Sequence, residues 1–232
     1  MPAAARADER AAQKATLFYK FARWAVKVFF FRLLGGFRVL HSDRVPMRGP
    51  VIFCANHTSF ADPPAVGCAS PRPCTFFAQA GLFVPIFGQI IRALGAFPVR
   101  RGESDVGAFR TALTLLAEGR ALVMFPEGTR GDGVSLRPAQ KGVVGLAQKS
   151  RAHVVPVGIC GAHKRLPKGA KIPRFSKITV VFGEPLTFEG YASSVGADRA
   201  KETFGEEIMR RIAALLAECG PPVKTSGETE SR

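Results

Sequence analysis

VIFCANHTSFADPP, residues 51–64, holds a complete change of chain direction. VIFCA is an uninterrupted apolar run, the pattern of a strand buried on both faces. NHTSFAD is short and polar, and Pro63 with Pro64 can occupy the first turn of a helix, where the missing N–H costs nothing. Strand, turn and helix in that order form the unit of α/β sheets. Inside the turn stand His57 and Asp62. Two readings are open: Asp62 caps the helix and His57 is a bystander, or the two are half of a proton-transferring pair whose partners lie elsewhere.

The same alternation continues outward. TFFA (75–78), AFPV (96–99), ALVMF (121–125), VVPVGI (154–159) and ITVVF (178–182) read as further buried strands. Between them lie helical patterns at 105–119, ending on Gly119 in a position suited to a left-handed cap, and at 141–150. Residues 198–218 form a late helix with Phe204, Ile208, Ile212, Leu215 and Leu216 toward the sheet. Pro156 inside an apolar run argues for an edge or irregular strand. The class is therefore α/β, with a central mixed, largely parallel sheet flanked by helices. Three regions are expected: an N-terminal amphipathic, membrane-interface segment (1–42), a catalytic domain (43–218) and a disordered tail (219–232).

The chain has 232 residues, 47% of them hydrophobic, enough for one domain with a sizeable core. Its 33 Lys and Arg against 18 Asp and Glu give a formal charge of +15, which favours nucleic acid, anionic lipid or a phosphorylated substrate. No zinc-finger spacing, heptad repeat or RNA-binding signature accompanies the charge, so no nucleic-acid partner is expected, and lipid and phosphate lead. The five cysteines are odd in number, scattered and set in apolar context; they read as reduced, cytosol-facing thiols that serve as small buried hydrophobes. No metal site stands out.

LFYKFARWAVKVFFFRLLGG, residues 17–36, is broken by Lys20, Arg23, Lys27 and Arg32, so it reads as neither a signal peptide nor a clean membrane span. On a regular helix Lys20, Arg23 and Lys27 share one face, and Phe18, Phe21, Trp24, Val28 and Phe31 another. This pattern suits a helix lying in an anionic headgroup layer. The uncharged stretch from Pro73 to Ile91 is interrupted by Gly81, Pro85 and Gly88, and reads as a strand followed by an apolar helix.

Two more loops follow strands, where sheet enzymes gather their working groups. GAFPVRRGES, 95–104, carries Arg100 and Arg101; FPEGTR, 125–130, carries a carboxylate and a further arginine. Guanidinium groups suit a dianionic phosphate because each makes paired, charge-assisted hydrogen bonds.

Taken in order, NHTSFAD, GAFPVRR, FPEGTR and VVPVGI resemble the four motifs of the glycerolipid acyltransferases, specifically the bacterial 1-acylglycerol-3-phosphate acyltransferases, over roughly Asp43 to Glu184. The resemblance implies transfer of a fatty acyl group from a thioester, acyl-CoA or acyl carrier protein, to the free hydroxyl of a lysophospholipid acceptor, lysophosphatidic acid, giving phosphatidic acid, with no cofactor beyond the thioester co-substrate. The alternatives are the same transfer to glycerol 3-phosphate, another lysophospholipid or a glycolipid, and a non-catalytic module that binds anionic lipid. It implies His57 as general base and Asp62 as its orienting carboxylate. Arg101, supported by Arg100, would bind the acceptor phosphate. Glu127 and Gly128 would meet the glycerol portion, with Thr129 also in the substrate site and Arg130 adding charge near the phosphate. It further implies a membrane-associated enzyme at the cytoplasmic face, working on a lipid surface. The pattern departs from the family at Gln79 and Gly81, where lysine and glutamate are common, and at Ala139 and Gln140, where a Phe-Lys pair is common.

Overall fold

The computed structural model describes residues 17–85, 87–93, 95–99, 105–167, 170, 172–220 and 224–225. The strands are β1 (Phe37–Leu40), β2 (Val51–Ala55), β3 (Cys74–Gln79), β4 (Ala96–Val99), β5 (Ala121–Met124), β6 (Ser135–Leu136), β7 (His153–Cys160), β8 (Ile178–Phe182) and β9 (Lys224–Thr225). The helices are α1 (Leu17–Ala25), which continues in π geometry over Val26–Arg32, α2 (Asp62–Ala69), α3 (Phe87–Ala93), α4 (Asp105–Ala117), α5 (Lys141–Ser150), α6 (Ala162–Arg165), α7 (Phe188–Val195) and α8 (Ala197–Ala217).

Among the described residues, seven strands form the main sheet in the order β1-β8-β7-β2-β5-β3-β4. Every neighbouring pair is parallel except β7 with β8. The expected mixed, largely parallel sheet is what is found. Its strands are apolar throughout because both faces are covered, and successive side chains feed opposite cores. Val51, Phe53 and Ala55 of β2 pack with α2 and the π segment, whereas Ile52 and Cys54 pack under α4, α5 and α8. The late helix runs over Ala197–Ala217, and Phe204, Ile208, Ile212, Leu215 and Leu216 are all buried, as its spacing predicts.

Of the two settings expected for Pro156, an edge or an irregular strand, the edge is not what is found. Its strand β7 is interior, between β8 and β2. The proline is tolerated there because pairing with β8 begins only at Val157, so no donor is required of it on that side. Its carbonyl still accepts the Gly183 amide at 2.8 Å.

The N-terminal segment departs from a regular helix. From Val26 the hydrogen bonds lengthen to i→i+5, as in Leu33 N–H to Val28 O and Gly36 N–H to Phe31 O. The change of phase turns Phe31 inward, fully buried and stacked on Phe37 at 4.7 Å, while Phe21, Trp24 and Phe29 stay exposed. Arg23, expected on the basic face, donates to the Cys68 carbonyl of α2 at 3.3 Å. No helix among the described residues is long and apolar enough to cross a membrane.

The cysteine reading holds for three residues and fails for two. Cys54, Cys68 and Cys74 are free and buried, and burial pushes each thiol up to about 12, which leaves them unreactive. Cys160 and Cys219 form a disulfide that ties the end of β7 to the residues after α8. The two lie 59 residues apart in the chain, and no pattern in the sequence pairs them. Residues 224–225 pair with 135–136, so part of the region expected to be tail makes defined contacts.

Candidate active site

Strands β7, β2 and β5 are adjacent and parallel, so the loops that leave their C-terminal ends share one edge of the sheet. That edge is where open α/β sheets place ligands. It gathers NHTSFAD after β2, FPEGTR after β5 and Gly161–His163 after β7.

Asn56 begins the first loop. Its side-chain amide donates to Ile159 O at 3.0 Å and its oxygen accepts from Ile159 N–H at 2.7 Å. The buried side chain thus pairs with β7 as a backbone segment would, and fixes where His57 leaves the sheet. His57 Nδ1 lies 2.9 Å from Asp62 Oδ2. The same oxygen accepts the amides of Thr58 at 2.6 Å and Ser59 at 2.7 Å. Asp62 is fully buried, and His57 keeps 18% of its side chain exposed. Asp62 is the first residue of α2, and its carboxylate gathers the turn before the helix rather than capping the helix itself. The helix-capping reading of the opening stretch is therefore not met: Oδ2 organises the turn before the helix and orients the imidazole.

With Asp62 ionised, Nδ1 carries the proton that points at it, and Nε2 is left as the acceptor lone pair. The imidazole stacks on Phe125 with centroids 4.0 Å apart, which limits its rotation.

Glu127 is 3% exposed, and both its oxygens are engaged. Oε1 accepts the His57 amide at 2.9 Å and Oε2 accepts the Arg137 amide at 3.3 Å. The His57 carbonyl in turn accepts from Gly131 N–H at 2.7 Å. The carboxylate is a brace between the two loops. Burial raises its pKa, and the His57 and Arg137 amides oppose the rise. Gly128 turns the loop at φ +70°, and Gln140, one of the departures from the family pattern, packs beneath it: a Cβ at Gly128 would lie 3.1 Å from the Gln140 Cγ. Thr129 is exposed. Arg130 lies 3.8 Å over the Phe60 ring, a cation–π contact that ties the FPEGTR loop to the His57 loop.

Arg100 and Arg101 lie outside the described residues; β4 ends at Val99, just before them. His57, Asp62 and Glu127 are joined by hydrogen bonds, and Arg130 meets the same loop through Phe60. Three contributors were missed. Asn56 looked like part of a turn. Ser59 donates its hydroxyl to Leu166 O at 2.8 Å, a contact set by topology alone. His163 on α6 packs against Gly133, where a Cβ would lie 3.2 Å from its ring, and burial and Lys164 lower its pKa while the nearby Asp62 carboxylate opposes them. Only its rarity, one of four histidines, pointed to it. A separate cleft of about 890 Å³, lined in part by Arg137, Tyr191, Lys201 and Met209, lies along α8 and includes no residue of the His57 loop.

The site thus holds a loop histidine locked to a buried carboxylate at the C-terminal edge of a doubly covered sheet. Residues 36–160 match the Acyltransferase family model, and the chain belongs to that family. Among individual proteins, it is 28% identical over 200 residues to the 1-acyl-sn-glycerol-3-phosphate acyltransferase of Bacillus subtilis, covering 85% of this chain and 96% of that one. It is 34% identical over 125 residues to the lyso-ornithine lipid O-acyltransferase of Pseudomonas aeruginosa, covering 53% and 47%. The crystal structure of the 1-acyl-sn-glycerophosphate (LPA) acyltransferase from Thermotoga maritima superposes with a TM-score of 0.64 at 26% identity, covering 84% of this chain and 78% of that one. The chain spans about half the length of the chloroplastic plant relatives that it also matches.

Proposed function

We propose that the protein is a 1-acyl-sn-glycerol-3-phosphate O-acyltransferase, moving a fatty acyl group from acyl-CoA or acyl carrier protein to the free hydroxyl of the lysophospholipid and releasing phosphatidic acid. The observation that carries this reading is the His57–Asp62 contact at 2.9 Å on a ring that keeps a small part of its surface exposed, in a chain of the Acyltransferase family. An alcohol is a poor nucleophile at neutral pH. His57 Nε2 takes its proton as oxygen attacks the thioester carbonyl, and the tetrahedral intermediate collapses as the C–S bond breaks. The imidazolium, stabilised by Asp62, then returns the proton to the departing thiolate. The serine and threonine of the loop stay unacylated. Arg101 and Arg100 hold the acceptor phosphate in this reading, Arg130 adds positive charge beside it, and Gly128 and Thr129 line the glycerol portion.

The enzyme works on a membrane surface because acceptor and product are lipids. The exposed Phe21, Trp24 and Phe29, with Lys20 and Lys27 among them, supply the contact. Since coenzyme A and acyl carrier protein thioesters are cytosolic, the face is the cytoplasmic one.

The test is thiol release from each donor in the presence of lysophosphatidic acid, glycerol 3-phosphate and lyso-ornithine lipid. Product is expected with lysophosphatidic acid and none with His57→Ala. A preference for lyso-ornithine lipid would move the acceptor assignment to that class and leave the chemistry in place. Full turnover by His57→Ala would remove the mechanism.

A further inference from the structure

Among the described residues, the two most exposed large apolar side chains lie far along the sequence from the N-terminal helix. Ile172 and Phe175 are each 79% exposed, in the loop between α6 and β8. Two such side chains three positions apart in one loop make an exposed apolar patch of the kind that marks an interaction surface. The loop is bound to the N-terminal segment. Ser176 N–H donates to Leu34 O at 3.0 Å, and Ile178 N–H to Gly36 O at 3.1 Å. The buried Arg165 guanidinium donates to the carbonyls of both Phe31 and Ser176. Gly35, at φ +122°, lets the two backbones meet: a Cβ there would sit 2.7 Å from the Ser176 oxygen. Close by in the chain, Phe29 and Leu33 are 61% and 60% exposed.

The charges agree. Neither residues 17–38 nor residues 161–177 contain a single Asp or Glu, while Lys27, Arg32, Arg174 and Lys177 are exposed between the apolar side chains. Apolar side chains set among cations with no carboxylate fit an anionic bilayer, where the rings enter the acyl boundary and the cations stay with the headgroups. Nucleic acid would meet the cations but leave Ile172 and Phe175 in water.

We propose that the loop Ile172–Lys177 is a second lipid anchor, dipping Ile172 and Phe175 into the same anionic surface that the N-terminal helix contacts. This rests on the membrane-surface part of the proposed function. The loop's root adjoins the catalytic turn, since Leu166 O accepts the Ser59 hydroxyl. The anchor therefore sets the bilayer beside the His57 loop as well as beneath the N-terminus.

The experiment is cosedimentation of the full chain with vesicles of phosphatidylcholine and phosphatidylglycerol. Ile172→Asp/Phe175→Asp should weaken partitioning by at least about tenfold, while Ile172→Leu/Phe175→Leu should bind as wild type does. Val106→Asp, an exposed change on α4 across the sheet, should leave binding unaltered. Thioester turnover on acceptor dispersed in detergent should survive in all three, and thermal melts should match because these side chains face solvent. Wild-type binding by the double Asp variant would overturn the anchor and leave the acyltransferase reading standing. Loss of binding in the Leu variant, equal binding to phosphatidylcholine alone, or loss of detergent activity in the Asp variant would each overturn it too. Turnover failing in the wild type while the vesicle results hold would overturn the enzyme reading and spare the anchor.

Discussion

At Oδ2 of Asp62 the His57 ring meets two backbone amides, and substitution can separate these duties. Asp62→Asn can keep a neutral oxygen for the Thr58 and Ser59 amides and the imidazole, but it takes away the negative charge that would stabilise an imidazolium. Turnover should fall by roughly a thousandfold or more while the melting temperature moves little, measured by single-turnover kinetics beside calorimetry. Glu127 calls for a different experiment. Glu127→Ala leaves the buried His57 and Arg137 amides without their acceptor, at about 1–3 kcal/mol each, and should lower both stability and activity. Glu127→Gln retains an acceptor and should be milder. Because burial raises the Glu127 pKa above its ordinary 4.5, the folded state binds its proton more tightly than the unfolded chain. Its ionisation therefore costs stability as pH rises from 4.5 through the higher folded value. The Gln variant should lack that slope, so a melting-temperature difference that grows with pH over this window is the expected result.

Strands and long helices were legible in the sequence because their signals are local: VIFCA, ALVMF and ITVVF are β-rich runs between turn residues, and α8 repeats its apolar positions at helical spacing. The His57–Asp62 pairing was legible for the same reason, being confined to one turn. What escaped depends on distant contacts. The four-residue strand β1 is half-buried and lacks a clear period. The brief helices α6 and α7 are shorter than any pattern that could announce them, and the π geometry after Val26 upset a face drawn for a regular helix. Pro156 misled because a sequence does not reveal where a neighbouring strand stops. At this scale Gly161 is the sharpest test. At φ +82° it lets β7 turn into α6, and a Cβ there would collide with the Lys177 carbonyl. Gly161→Ala should destabilise the protein by at least about 1–3 kcal/mol and disturb the anchoring loop, both measurable by denaturant unfolding and limited proteolysis.

For the whole molecule, the Cys160–Cys219 bond fixes the end of α8 to the central sheet across 59 residues of chain. Replacing both residues with Ser should lower the unfolding free energy of the oxidised protein by about 2–4 kcal/mol. A reductant should reproduce the loss in wild type and add nothing in the variant. Acid should act elsewhere on α8: Arg210 and Arg211 hold the Glu207 carboxyl below the usual range, so their contribution is complete above the ordinary 4.5 and disappears as pH falls through the lower folded value. A helix C-terminus that loosens in acid with Arg210 and Arg211 present, and does so less in Glu207→Gln, is the expected hydrogen-exchange result.

Glu127 grips the His57 amide from a position 70 residues further along the chain. A nascent polypeptide that has emerged only through α2 already possesses His57 and Asp62, yet lacks the carboxylate that holds the His57 amide. Fragments severed between α4 and β5 should each be inert toward thioester, and should regain turnover only when mixed so that the later piece can dock its strand against β2.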